Sequence, residues 1–150
     1  MRMKKKASVF AIFLLALVLL LSGCGASYKD GVYHAEFKDY DNHGWKEYVD
    51  VQVEGDKVTV LTFDGVNADG AKKSEDEDYR ASMEPVKGTY PAKFYADIVN
   101  QYLESQNLKK VTTVAGATLS TNNFKVLMAA LESNMKSGDT TAVIVDASAN

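Results

Sequence analysis

The chain has 150 residues, 46% hydrophobic and 25% charged, with a single cysteine. That length holds one domain, and the lone Cys24 excludes an intramolecular disulfide and any Cys-x-x-Cys chemistry. Of its 17 Lys+Arg, the four at Arg2, Lys4, Lys5 and Lys6 lie at the very start; beyond residue 23 the balance is 13 basic against 20 acidic, a net charge of −7, which excludes nucleic acid as a partner.

The basic start runs into an apolar stretch from Val9 to Leu21 and then Leu21-Ser22-Gly23-Cys24. A basic n-region, a short h-region and small closing residues make a secretory signal, too short to span a bilayer comfortably. The closing residues resemble a bacterial lipobox, which implies that Cys24 is lipidated and becomes the first mature residue. The expected division is a signal peptide over 1–23, the lipidated cysteine and a short tether over 24–29, a folded domain over 30–146 and a frayed tail over 147–150. The domain is long enough for a modest core without staples.

Within the domain, Val32 to Phe37 is expected as a first strand and Asp39 to Gly44 as a polar turn. Trp45 to Glu54 is a second strand with Val49, Val51 and Val53 on one face. Gly55-Asp56 fits a two-residue hairpin loop, which would pair Val53 with Val58 and Val51 with Val60. The third strand, Lys57 to Phe63, is apolar on both faces and is expected at the centre of the sheet. Asp64 to Asp78 is a charged loop ending in a short helical turn over Tyr79 to Met83, followed by an irregular stretch to Tyr90. Pro91 starts a helix whose apolar face carries Phe94, Tyr95, Ile98, Val99, Tyr102 and Leu103. Val111 to Val114 is expected as a short strand. From Ser120 a second long helix runs to about Lys136, with Phe124, Leu127, Met128, Leu131 and Met135 as its stripe. Ser137-Gly138-Asp139 breaks it, and Thr141 to Val145 is a last strand. The fold class is α+β, a small twisted antiparallel sheet with two main helices packed on it.

The segment with the most chemical content is Thr112-Thr113-Val114-Ala115-Gly116-Ala117-Thr118-Leu119-Ser120. A small-residue loop entering a helix suits a phosphate, because the first turn offers unpaired N–H groups at the positive end of the helix dipole. Gly116 and Ala117 keep bulk away, and Thr118 sets a hydroxyl beside the phosphate position. The residues alone leave an ordinary capping threonine open as the alternative.

Gly116-Ala117-Thr118 in this setting resembles the flavin-attachment motif of the FMN-binding domain family, and the resemblance extends over roughly Lys29 to Val145. It implies FMN as cofactor, esterified through its phosphate to Thr118, with Ala115, Gly116, Ala117, Leu119 and Ser120 around the phosphate. Thr112 stands where members commonly have an acidic residue, and Ala115 where they often have Ser or Thr. The resemblance further implies a flavin transferase that loads FMN from FAD with magnesium, and a membrane quinone reductase or other redox partner. The expected role is an electron carrier rather than a turnover enzyme, lipid-anchored through Cys24 on the extracytoplasmic face of the cell membrane.

Asp39 to Trp45 resembles a turn in the lipoprotein branch of that family. Trp45 could set an exposed indole edge against the isoalloxazine ring, or pack in the core. With only His34 and His43 no metal site is expected. Asp64 to Gly70 fails the calcium-loop pattern, since the first ligand position falls on Gly65 and the closing position on Asp76 rather than Glu; its likeness to the lipoprotein branch implies a lid. Tyr90-Pro91 and Tyr95 match a pattern of the same branch, with helix start and core packing as the plain alternative. No catalytic residues of a hydrolase stand out. A second functional reading is a non-redox binding or signalling lipoprotein, including a pheromone precursor in which Leu17 to Gly23 is released.

Overall fold

The computed structural model of the protein describes residues 27–146. The signal peptide, Cys24 and the 147–150 tail lie outside the described residues. In chain order the elements are β1 (Gly31–Phe37), β2 (Lys46–Glu54), β3 (Lys57–Val66), α1 (Glu77–Lys87), α2 (Pro91–Ser105), α3 (Thr118–Ser137) and β4 (Val143–Val145), with single 3-10 turns at Lys73–Glu75 and Leu108–Lys110. The strands form one sheet in the order β3-β2-β1-β4.

Alternation builds the core. Tyr33, Ala35 and Phe37 of β1 and Val49, Val51 and Val53 of β2 all point inward and are buried. Against them pack Phe94, Tyr95, Ile98 and Tyr102 from α2, and the full expected stripe of α3, Phe124 to Met135. Phe63 links the layers, edge-on to Tyr95 and tilted against Phe124 with ring centroids 4.8 and 5.2 Å away. Fully burying one such side chain is worth about 1.5–3 kcal/mol. The opposite sheet face is polar. There His34 Nδ1 meets Asp50 Oδ1 at 2.8 Å across the β1–β2 pair, and Lys46 Nζ meets Glu36 Oε1 at 3.0 Å.

The hairpin at Gly55-Asp56 forms as expected, both residues at positive φ (58° and 66°) as its tight turn requires. Its register differs. Val53 does pair with Val58, but a bulge between Gln52 and Val53 sets Val51 opposite Leu61 and Gln52 opposite Val60. The extra residue changes the facing of the strand. Val58, Leu61 and Phe63 are buried while Val60 is 53% exposed. The apparent two-sided apolarity of β3 is thus a one-sided strand with a phase change, and β3 lies at the sheet edge rather than at its centre.

Other boundaries shift. The expected helical turn at Tyr79 is the 11-residue α1, which has Asp76 as its N-cap, contains Pro85 and ends on Gly88 in the left-handed region. It has no fully buried residue, and only part of its surface, at Met83, packs against the core. The two main helices expected, α2 and α3, are thus joined by this third, longer than the expected turn. Val111 to Val114 forms no strand, and α3 starts at Thr118, two residues earlier than expected. The last strand is confined to Val143–Val145 and runs parallel to β1, so the sheet is mixed rather than wholly antiparallel. The chain leaves α3 through Gly138 (φ +79°) and returns beside β1 in the same direction.

Candidate functional site

The loop before α3 is held at several points. Val111 is buried. Gln101 of α2 accepts from the Thr112 N–H (2.8 Å) and hydroxyl (2.9 Å) and donates to the Thr112 carbonyl (3.3 Å). A hydroxyl therefore ties this position to α2 where the flavin-family motif commonly has a carboxylate. Further on, the Val114 N–H donates to Thr121 Oγ1 (3.2 Å), and the Thr121 hydroxyl donates to the Ala117 carbonyl (2.9 Å). Ala117 N–H closes a turn on the Val114 carbonyl at 3.0 Å.

Gly116 sits at φ +80°, and a Cβ there would stand 2.9 Å from Thr89 Cγ2 and 3.4 Å from Lys87 Cβ. Glycine is required both by the dihedral and by the approach of the segment that ends α1. Thr89 itself is buried, and its Oγ1 has no hydrogen-bond partner. Ala117 is the N-cap of α3 and supplies no side-chain acceptor. The N–H groups of Thr118, Leu119 and Ser120 thus open the helix without an intrahelical or capping partner. Thr118 and Leu119 are exposed, whereas Ser120 is buried.

Ser120 leads to a residue that the sequence reading passed over. Its hydroxyl donates to Glu47 Oε1 at 2.6 Å. Tyr95 of α2 donates to the same oxygen at 2.9 Å, and Asn123 of α3 donates to Oε2 at 2.7 Å. Glu47 is only 6% exposed and has no cationic partner within ion-pair distance among the described residues. One carboxylate therefore joins β2, α2 and the first turns of α3. Burial first, and the Glu47 charge second, hold the Tyr95 phenol well above its ordinary range. The signal was present in the period of β2: Glu47 shares the inward face with Val49, Val51 and Val53.

Trp45 lies two residues before Glu47 on that side and is 7% exposed, so it offers no free indole edge. Tyr79 of α1 covers it edge-on at 6.4 Å. The buried Lys73 places its ammonium 4.8 Å over the Tyr79 ring. The 64–70 segment is anchored rather than loose at its start. Asp64 is buried and accepts from the Gly65 N–H and from both the N–H and hydroxyl of Ser74. A Cβ on Gly65 would stand 3.1 Å from the Tyr95 hydroxyl oxygen and 3.2 Å from Lys73 Cβ. Pro91 occupies the first turn of α2, and Tyr95 reaches Glu47, so the Pro91/Tyr95 pattern serves helix start and core packing here. His43 is an exposed turn residue whose N–H donates to Asp41.

The structure thus brings Ala115 to Ser120 together at one helix mouth, whereas Trp45 packs against Tyr79 and not against that loop. The arrangement can bind an anion at the α3 N-terminus, with a free hydroxyl beside it and the Lys87 stem next to Gly116. A separate groove of about 570 Å³ lies between the end of α2 and α3; none of its lining residues belongs to the 112–120 loop.

A two-layer α+β domain behind a lipobox-like cysteine defines the class as a lipoprotein domain. The chain belongs to the family of the 15 kDa lipoprotein of Treponema pallidum (strain Nichols), to which it is 34% identical over 133 residues, covering 88% of this chain and 94% of that one. It is also similar to the crystal structure of the CPE2226 protein from Clostridium perfringens, with a TM-score of 0.76 and 33% identity over 81% of this chain and 99% of that one. No protein-family model matches the chain.

Proposed function

We propose that this lipoprotein is held in the membrane by lipid on Cys24, faces the extracytoplasmic side, and carries one FMN on Thr118 as an electron carrier. The observation that carries the reading is the α3 mouth: an exposed Thr118 hydroxyl beside N–H groups that no side chain caps, over a glycine whose side-chain space is taken. The residues fit a flavin phosphate. Thr89 Oγ1, buried and unpartnered beside Gly116, is a further polar atom at the same place. Bound there, the flavin supplies one- and two-electron chemistry that no side chain of this chain offers. Gly116 and Ala117 admit the phosphate, the N–H groups of Leu119 and Ser120 orient it, and the Thr118 oxygen forms the ester. In that transfer the Thr118 oxygen would displace AMP from the flavin phosphate of FAD, with the hydroxyl proton passing to the departing AMP phosphate or to solvent. The electron donors would be a membrane reductase or quinone, and the acceptors would lie outside the membrane.

One observation favours a non-redox binding or signalling lipoprotein instead: Thr112 is committed to Gln101, in place of a carboxylate that would help magnesium or the transferase engage. A single experiment separates the two. The chain is produced with a flavin transferase, FAD and magnesium, and its intact mass and colour are read after denaturation. The expected result is yellow protein heavier by FMN less one water, mapped to the peptide holding Thr118 and absent in Thr118→Ala. Protein that stays unmodified and binds no FMN leaves the non-redox reading. A modified Thr118→Ala variant refutes the site.

A further inference from the structure

The groove between α2 and α3 takes no part in the proposed cofactor site. Its floor and walls are mostly apolar: Tyr28, Tyr102, Leu108, Val126, Met128 and Met135. Burial raises the phenols of Tyr28 and Tyr102 above their ordinary value, as an apolar surrounding does. Lys109 and Lys125 stand at the rim, and Glu132 there is paired to Lys136 at 2.6 Å. The rim is therefore suited to a phosphate headgroup or to the polar end of a lipid.

The start of the described chain lies at the groove edge. Tyr28 is itself a lining residue. Its N–H donates to Asp56 Oδ1, and the next N–H, on Lys29, donates to the Met135 carbonyl at 2.7 Å. The Lys29 carbonyl in turn accepts from the Tyr33 hydroxyl at 2.7 Å. The polypeptide is thus pinned at the groove edge, and Cys24 is four residues upstream, within about 14 Å along an extended chain. Any acyl chain on Cys24 is delivered to this groove at high effective concentration.

The geometry points to an acyl-chain site: the groove between α2 and α3 seats one fatty chain carried on Cys24, and so fixes the domain's orientation at the membrane. α3 has 20 residues and is about 30 Å long, and Met135 lies near its C-terminal end while Thr118 opens it. Seating the anchor at Met135 holds the Thr118 loop at the opposite end of the helix, roughly 25 Å away. The inference rests on lipidation of Cys24, not on flavin attachment.

The test uses the full-length protein from cells fed a diazirine fatty acid, purified in detergent and irradiated. Intact mass before irradiation reports acylation. Cross-links from the Cys24 peptide to the α3 peptide holding Val126 to Met135, or to Leu108, are expected. Ala129→Trp, which fills the groove, should cut that yield at least five-fold with the circular dichroism spectrum unchanged, and Val126→Asp should do the same by introducing charge. An unacylated mass removes both the lipid anchor and the groove site. An acylated mass with cross-links only to detergent, or a yield unchanged in whichever of the two variants folds, overturns the groove site alone. In a second arm, unlabelled protein sits in phosphatidylglycerol/phosphatidylethanolamine vesicles carrying diazirine phosphatidylglycerol. Labelling of α3 there, without labelling from Cys24, overturns the proposal in favour of bilayer lipid.

Discussion

Glu47 ties three elements, β2, α2 and α3, through one buried carboxylate. It accepts hydrogen bonds from Tyr95, Ser120 and Asn123, all in or near the core. Glu47→Leu removes the acceptor and strands three donors, so a loss of about 3 kcal/mol is expected in urea unfolding; Glu47→Gln keeps one acceptor oxygen and should lose about 1 kcal/mol. Equal losses for the two would show that the network is not what holds this position. Tyr95 adds a pH dependence. Its phenol titrates higher in the folded chain than its ordinary 10.0, so the stability it brings is complete below that value and falls as pH rises through it and beyond. The urea midpoint should drop from about pH 10 upward, and less steeply in Tyr95→Phe. An unchanged slope in that variant would assign the alkaline loss to other groups, such as Tyr102, which burial also pushes up.

At the scale of elements, the bulge in the β2–β3 hairpin decides which residues of β3 are core. Val60 is outward and half exposed, and Leu61 is inward and 8% exposed. Leu61→Ala is therefore expected to cost about 2–4 kcal/mol and Val60→Ala under about 0.5 kcal/mol by thermal or urea unfolding. The reverse order would place the register as simple alternation predicts. The α3 N-terminus is the other element-level feature with a consequence. Its first turn faces solvent at Thr118 and Leu119 but the core at Ser120 and Thr121, so the side proposed to take the phosphate and the anchored side are adjacent positions on one turn. Glu47 holds Ser120 and Asn123 from below, and Gln101 holds Thr112 from α2. The mouth is thereby preorganised by two contacts outside the loop itself, a general requirement for an accurate site.

For the whole molecule, the two ends of α3 divide the work. The N-terminal end carries the candidate cofactor loop, and the C-terminal two thirds receives Lys29 and lines the groove proposed to seat the acyl chain. Beyond residue 23 the chain carries 13 basic against 20 acidic residues, so redox partners of the proposed carrier are expected to present basic patches. Reduction by such a partner should slow several-fold between low salt and about 0.5 M NaCl, measured by stopped-flow absorbance of the flavin. Rates independent of ionic strength would remove steering from the account.

The sequence by itself settled what depends on local pattern. The alternating β1 and β2, the Gly55-Asp56 turn, the Pro91 start of α2 and the stripe from Phe124 to Met135 were all legible, because side-chain periodicity and turn dihedrals are properties of neighbouring residues. The Ala115–Ser120 loop was legible for the same reason, as small residues entering a helix. The tertiary structure decided what depends on distant partners. A one-residue bulge moved Leu61 into the core and β3 to the edge, since register is fixed by the partner strand and not by the strand's own composition. Val111 to Val114 found no partner strand, and α1 formed without a buried face to announce it. Glu47 acquired its donors from residues 48, 73 and 76 positions away. Hydrogen-bond satisfaction of a buried carboxylate is a contact between elements, and only their packing brings those donors to it.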